Sequence, residues 1–244
     1  MEPIFSQNFT ISDVHVNCFG YLKTSMILYF AQEVAGKHFE KLAMDYDTMV
    51  ERGLFWAITR HKVQISRLPR HGETIRIETW PMPTTRVAYP RSVVAYDEQG
   101  NECFRAITLW VLMDLQNRAM VLPGKSGIEV AGTLRGNELS SPLGLPAKAL
   151  RNRKSRTVAF TDLDRNGHMN NTKYLDWLDD LLPSSFHGAR EVKELTLCYL
   201  NEAREGQPLT LSWDFPEEGC LQIDAHRLSD GKDERIFAAK ILFE

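Results

Sequence analysis

Cysteine is scarce and scattered. The 244 residues contain four, Cys18, Cys103, Cys198 and Cys220, and no two stand in a CxxC pair. That pattern excludes a disulfide framework and reads as reduced, mostly buried thiols in a cytoplasmic protein. An excess of positive charge is also missing. Twenty-nine Lys and Arg face 32 Asp and Glu, a formal charge of −3, so no nucleic-acid partner is expected. The longest apolar run, 26–31, is far too short for a bilayer span. The opening MEPIFSQNFTISDV has neither the basic head nor the apolar core of a secretory leader. No GxSxG elbow and no HExxH occurs, which removes the standard serine-hydrolase and zincin readings. What the chain does have is 43% hydrophobic and 10% aromatic residues, enough for one large core or two small ones.

The apolar residues are organised as one helical pattern followed by several strand patterns, and then the same again. Residues 21–42 lack proline and carry Leu22, Met26, Tyr29, Phe30 and Val34 at helical spacing. From Ser25 to Gly36 the segment is apolar on nearly every side, which predicts a helix wrapped by other structure. Strand-like runs follow at 55–68, 73–80, 86–96 and 103–113, separated by turn chemistry such as His71-Gly72. A second helix is expected over 171–182, stopped by Pro183, with strands at 192–201, 208–215, 220–228 and 234–243. Hairpin-length links exclude βαβ crossovers, so the class is α+β with antiparallel sheets. The boundaries expected are 1–122 for an N-terminal unit, 123–153 for a Gly-, Pro- and Ser-rich linker, and 154–244 for a C-terminal unit.

A weak internal repeat supports duplication. Residues 12–17 align with 161–166 at an offset of 149 (162 − 13), residues 60–77 with 194–211 at 134, and Phe104, Ala106 and Trp110 with Ile236, Ala238 and Leu242 at 132. On this register Asp164 faces His15, His168 faces Phe19, Glu202 faces Leu68, and Asn17 alone survives, opposite Asn166. One active unit per chain is therefore expected, with two units forming an internal pseudo-dimer; a further homodimer stays open.

The densest polar motif is TDLDRNGHMNN, residues 161–171, placed between an expected strand at 157–160 and a helix. An Asn or Asp helix cap accounts for one or two of these side chains. Alternation of Asp164, Asn166 and His168 would send three functional groups to one side of an extended segment. A calcium loop is the competing reading, with Asp162, Asp164, Asn166 and Gly167 at EF-hand positions. It fails where a closing carboxylate is required, because that position is Lys173. The seven histidines show no ligand spacing, so no metal is expected. The PGKS stretch at 123–126 lacks the upstream glycine of a P-loop and reads as a turn.

The chain resembles the acyl-acyl carrier protein (acyl-ACP) thioesterases. The likeness is sharpest at DLDRNGHMNNTKY (162–174), similar to the family's DxNxHxNNxxY signature, and extends to LFWAITRHKVQI (54–65), GETIRIETW (72–80), LWVLMD (109–114) and LTLCYLNEA (195–203). The resemblance implies a tandem double hotdog, two antiparallel sheets each wrapped around a central helix, that hydrolyses fatty acyl-ACP without a cofactor. It implies a catalytic set of Asp164, Asn166, His168 and Glu202. Where plant members carry a cysteine beside the acidic residue, this chain has Ala203, so a thiolate mechanism is excluded at that position. Asp164 is expected nearest the carbonyl, Glu202 as orienter of His168 or of water, and the backbone N–H groups of 168–170 as the oxyanion site. Met26, Tyr29, Phe30, Phe55 and Trp56 are candidates for an acyl channel. Docking an acidic carrier protein would need a basic patch. Arg60, Lys62, Arg67, Arg70 and Arg76 offer one, and Lys148, Arg151, Arg153, Lys154 and Arg156 another. An acyl-CoA thioesterase and a non-catalytic acyl-binding protein remain as alternatives.

Overall fold

The computed structural model describes residues 3–229 and 231–244. It divides into two compact units, Met1–Pro142 and Leu143–Glu244. In the first unit β1 (Phe5–Thr10) precedes α1 (Thr24–Lys41), α2 (Tyr46–Glu51) and four long strands: β2 (Leu54–Ile65), β3 (Thr74–Pro81), β4 (Tyr89–Tyr96) and β5 (Glu102–Asp114). The sheet runs β1-β3-β4-β5-β2, every pair antiparallel, and a short β6 (Met120–Val121) adds to β5. In β3, Ile75 and Ile77 are buried on either side of the exposed Arg76, whereas β4, a central strand, is buried over Tyr89–Ala95. The buried stripe of α1 includes Ile27, Leu28, Phe30, Ala31, Val34 and Phe39, and the helix packs on β1 and β3. Tyr29 is 46% exposed, so α1 keeps an open flank that its composition does not suggest.

Two polar side chains lie deep in this unit. Arg91 of β4 donates to His38 Nδ1 at 3.0 Å and to Thr79 Oγ1 at 3.3 Å, and lies 4.5 Å over the Phe39 ring. Burial pulls its guanidinium down to about 9. His61 of β2 contacts Thr108 of β5 at 2.9 Å, and burial pushes its ring down to about 3.

Proline 123 opens a single helical turn, α3 (Pro123–Ser126), at the stretch read as a turn. The chain beyond it, 127–150, has no regular secondary structure among the described residues, yet it is pinned down. In the first unit the Arg105 guanidinium donates to the Asn137 carbonyl at 2.6 Å and that of Arg60 to the Pro142 carbonyl at 3.3 Å. Trp80 donates to Glu138 at 3.1 Å, and the Thr133 N–H to the Pro81 carbonyl at 2.9 Å. Gly132 presses on the Met82–Pro83 backbone so closely that a Cβ there would overlap it. In the second unit Arg235 donates to the Leu145 carbonyl at 2.6 Å.

The second unit contains β7 (Asn152–Thr157), α4 (Asn171–Asp179), α5 (Ser184–Ala189), β8 (Val192–Tyr199), β9 (Pro208–Glu217), β10 (Cys220–Ser229) and β11 (Lys232–Phe243). Its order, β7-β9-β10-β11-β8, repeats that of the first unit strand for strand, again antiparallel. The strand expected at 157–160 instead ends at Thr157, and Phe160–Asp162 form a 3-10 turn. α4 buries Tyr174, Leu175, Trp177 and Leu178, with Tyr174 stacked on Phe237 of β11 at 4.5 Å. Among the described residues no helix is long and apolar enough to cross a membrane.

Hydrogen bonding corrects the register of the repeat. Val16 bridges Leu22 as Leu163 bridges Met169, a displacement of 147 (163 − 16) rather than 149. Asp164 therefore corresponds to Asn17, Asn166 to Phe19 and His168 to Tyr21. The N–H groups of Ser66 and Arg67 share the Cys103 carbonyl, as those of Leu200 and Asn201 share Ile236. That keeps 134 (200 − 66) for this loop, with Glu202 opposite Leu68, and gives 133 (236 − 103) rather than 132 for the closing strand.

Gly132→Ala should lower unfolding free energy by about 1–3 kcal/mol through the overlap at Met82–Pro83, read by urea titration. His61 supplies a pH dependence. Its unfolded ring takes a proton near 6.5 while the folded ring resists until about 3. Stability should thus fall by about 2 kcal/mol from pH 7 to pH 5, and His61→Leu should flatten that part of the stability profile.

Candidate active site

The second unit brings two polar segments together. The first begins where β7 ends. Asp162 is buried, and its carboxylate accepts the Ala159 N–H at 3.0 Å and the Trp177 indole N–H at 3.4 Å. Its carbonyl accepts the Asn170 N–H at 2.8 Å. Asp162 thus ties the 3-10 turn to α4 and has a structural role. Asn170 caps α4 by accepting the Thr172 N–H at 3.0 Å.

Between these anchors the chain makes a tight reverse turn. The Asp164 N–H donates to the His168 carbonyl at 2.8 Å, and the Gly167 N–H to the Asp164 carbonyl at 3.0 Å. Gly167 sits at φ +74°, in the left-handed region where glycine is unstrained. Asp164 Oδ1 accepts the N–H groups of Asn166 at 2.8 Å and His168 at 3.2 Å. Alternation along an extended segment is therefore not what groups these residues. The turn is folded around the Asp164 carboxylate, Asn166 lies exposed, and His168 is buried.

The second segment, 200–207, leaves β8 where Leu200 and Asn201 share the Ile236 carbonyl. The Met169 N–H donates to the Ala203 carbonyl at 2.8 Å, joining the residue after the imidazole to the residue after the carboxylate. His168 Nε2 lies 3.1 Å from Glu202 Oε2, and the two side chains are 11% and 41% exposed. An imidazole in contact with a carboxylate, one sheltered and the other open to solvent, can pass a proton and orient water. Arg204 approaches the same carboxylate only to 3.9 Å.

The N–H groups expected to form an oxyanion site are already engaged. Those of His168, Met169 and Asn170 donate to Asp164 Oδ1, Ala203 O and Asp162 O. The Asn166 side-chain amide, exposed on the turn, is a donor the motif still offers. Cys198 is buried in β8, its thiol 3.9 Å from the Leu143 carbonyl. No group of three or more His, Cys, Asp or Glu is gathered for a metal among the described residues. A cavity of about 190 Å³ lies elsewhere in this unit, lined in part by Lys148, Gln222, Asp224 and Arg235, and neither His168 nor Glu202 borders it.

The acyl-contact candidates fall in the first unit. Phe30 is buried against Phe9 at 4.5 Å and touches the exposed Tyr29. Met26, also on α1, is partly exposed. Trp56 stacks on Phe39 at 4.9 Å, so it faces α1, and its indole N–H donates to the Met44 carbonyl at 2.9 Å. Phe55, its strand neighbour, points to the opposite face, where the Arg118 guanidinium covers its ring at 4.6 Å. Of the basic candidates, Arg67 pairs with Glu73 and Asp97, Arg76 with Glu78, Arg151 with Asp214 and Arg156 with Asp180. Arg70 donates to the Tyr21 hydroxyl at 2.7 Å, and Lys148, Arg153 and Lys154 are exposed.

A family model described as the acyl-ACP thioesterase N-terminal domain matches residues 2–122, and one described as the C-terminal domain matches 147–244. A chloroplastic palmitoyl-acyl carrier protein thioesterase of Gossypium hirsutum is 26% identical, the match covering 94% of this chain and 62% of that protein. The chain spans only about half to three-fifths of the length of such curated relatives. An acyl-ACP thioesterase of Bacteroides thetaiotaomicron superposes with a TM-score of 0.89 over 99% of this chain and 98% of the other, at 21% identity. A 12:0-ACP thioesterase from Umbellularia californica gives 0.83 over 100% and 98%, at 20% identity. At these identities the structural likeness establishes the fold, a hotdog-type architecture.

Asn17, the first-unit counterpart of Asp164, accepts the N–H groups of Phe19 and Tyr21 at 3.0 and 3.2 Å. An asparagine can therefore hold this turn. Asp164→Asn should keep stability and slow amide exchange at His168, whereas Asp164→Ala should cost about 1–2 kcal/mol and speed that exchange. Equal behaviour of the two variants would show that the turn does not depend on this side chain.

Proposed function

The chain belongs to the acyl-ACP thioesterase family, and from that premise we propose that it hydrolyses the thioester of fatty acyl-ACP to free fatty acid and ACP thiol. The observation that carries this reading is the 3.1 Å contact between His168 and Glu202, held from two segments that share the Met169–Ala203 hydrogen bond.

Water is the nucleophile. Glu202 and His168 together draw a proton from it as its oxygen attacks the carbonyl carbon. The C–S bond then breaks, and the imidazole returns the proton to the departing thiolate. Asn166, exposed on its turn, supplies an amide N–H to the carbonyl oxygen as negative charge gathers there. Asp164 holds that turn together by accepting the Asn166 and His168 backbone N–H groups. Ala203 leaves no thiol beside Glu202, and buried Cys198 is not needed.

The acyl chain is assigned to the α1 side of the N-terminal unit, through Met26, Tyr29, Phe30 and Trp56, with Phe55 backing the sheet from the other face. The partner is an acidic carrier protein, met by exposed cations such as Arg153 and Lys154.

Thiol release from acyl-ACPs of graded chain length, set against the matching acyl-CoAs, tests this reading. Glu202→Gln and His168→Ala should each lower kcat by about 10²–10⁴-fold while the fold persists. Unchanged turnover in both variants would refute the assignment, and faster turnover of the CoA esters would reassign the carrier.

A further inference from the structure

We propose that Arg227, on β10 and outside the reacting groups, is a positioning residue that sets the Glu202 carboxylate against His168; the inference rests on the hydrolytic reading above. The Arg227 side chain is mostly buried, 16% exposed. Its Nη1 donates to the Glu202 backbone carbonyl at 3.1 Å and to the Gln207 side-chain oxygen. The same Gln207 oxygen accepts the Arg204 N–H at 2.9 Å. One guanidinium thereby closes a bracket around residues 202–207. Its other face is held by Glu234 of β11, through Nε at 3.2 Å and through Nη2. Just upstream, the Asn201 amide donates to the Arg235 carbonyl at 2.9 Å. Glu202 is thus fixed at its own carbonyl, and its neighbours Asn201 and Ala203 are fixed as well. Only its side chain is left to turn toward the imidazole.

The first unit shows what this arrangement replaces. Both units carry the same bulge, between Ala95 and Tyr96 and between Ala225 and His226, which puts Asp97 at the position of Arg227. There the cation comes from the loop. Arg67, the counterpart of Asn201, donates to Glu73 at 2.8 Å and to Asp97 at 3.0 Å, and Glu73 accepts the Arg70 N–H at 3.0 Å. The bracket is retained with its charges exchanged between loop and strand. In the second unit the guanidinium stands on the strand and grips a backbone carbonyl, so no loop cation at position 201 competes for the carboxylate at 202. Arg204 approaches Glu202 only to 3.9 Å and is 61% exposed, too weak a contact to set the geometry.

The test uses the full chain as Arg227→Met, Arg227→Lys, Glu202→Gln and the Arg227→Met/Glu202→Gln double variant, each assayed on the acyl-ACP that the unaltered chain turns over fastest. Arg227→Met should lower kcat about tenfold and leave KM within about twofold, and Arg227→Lys should recover part of the loss. Against Glu202→Gln the same substitution should change kcat by less than about twofold, because it acts through that carboxylate. An undiminished kcat in Arg227→Met, or a full tenfold loss on both backgrounds, overturns the proposal. If the unaltered chain hydrolyses no acyl-ACP, the hydrolytic reading alone fails. Amide exchange at Met169 and Arg204 then decides the positioning: about tenfold faster in Arg227→Met supports it, and an unchanged rate overturns it.

Discussion

The hydrogen bond from the Met169 N–H to the Ala203 carbonyl is the constraint on which the site depends. Each of its ends lies one residue beyond a candidate catalytic side chain, so it fixes where two distant stretches of the C-terminal unit can meet. The rest of the local structure keeps that bond in place. Asp162 ties the incoming turn to α4, the Asp164 carboxylate closes the turn, Gly167 supplies the left-handed residue the closure requires, and Arg227 holds the second segment. Imidazole and carboxylate then sit in contact although more than thirty residues separate them. The bond between them is not required to bring them together.

The elements legible in the sequence are those with a strong period. α1 lies within the expected 21–42, and the long strands β2, β3, β5, β9, β10 and β11 fall close to their runs, because half-buried strands alternate and packed helices repeat. β1 and β7 were not legible, since β1 is short and the polar Arg153, Lys154 and Ser155 of β7 are exposed and carry no apolar signal. The grouping of Asp164, Asn166 and His168 expected from alternation rests on a reason that fails. An alternating Asp-x-Asn-x-His motif suggests a strand, while Gly167 in its midst makes a reverse turn. Backbone N–H groups cannot be followed in a sequence, so the donors at 168–170 looked available when they are bonded within the protein.

The repeat shows how identity can mislead about equivalence. Matching Asn17 to Asn166 gives two identical letters, yet Asn17 does the work of Asp164, accepting the same two N–H groups in the same turn. Carboxylate and amide are interchangeable for that task but not for chemistry that needs charge. Duplication has therefore kept the scaffold of the turn in both units, with Tyr21 in place of His168 and Leu68 in place of Glu202. The one-residue slip in the closing strand has a similar origin. The bulge at Cys103 and Ile236 inserts an unpaired residue that apolar periodicity does not reveal.

The irregular stretch 127–150 is gripped by guanidinium groups that reach its backbone carbonyls: Arg105 at Asn137, Arg60 at Pro142 and Arg235 at Leu145. A carbonyl is present whatever residue bears it. These three contacts therefore survive a change of side chain at Asn137, Pro142 or Leu145, whereas Gly132, pressed on the Met82–Pro83 backbone, and Glu138, which accepts the Trp80 indole N–H, are bound to their identities.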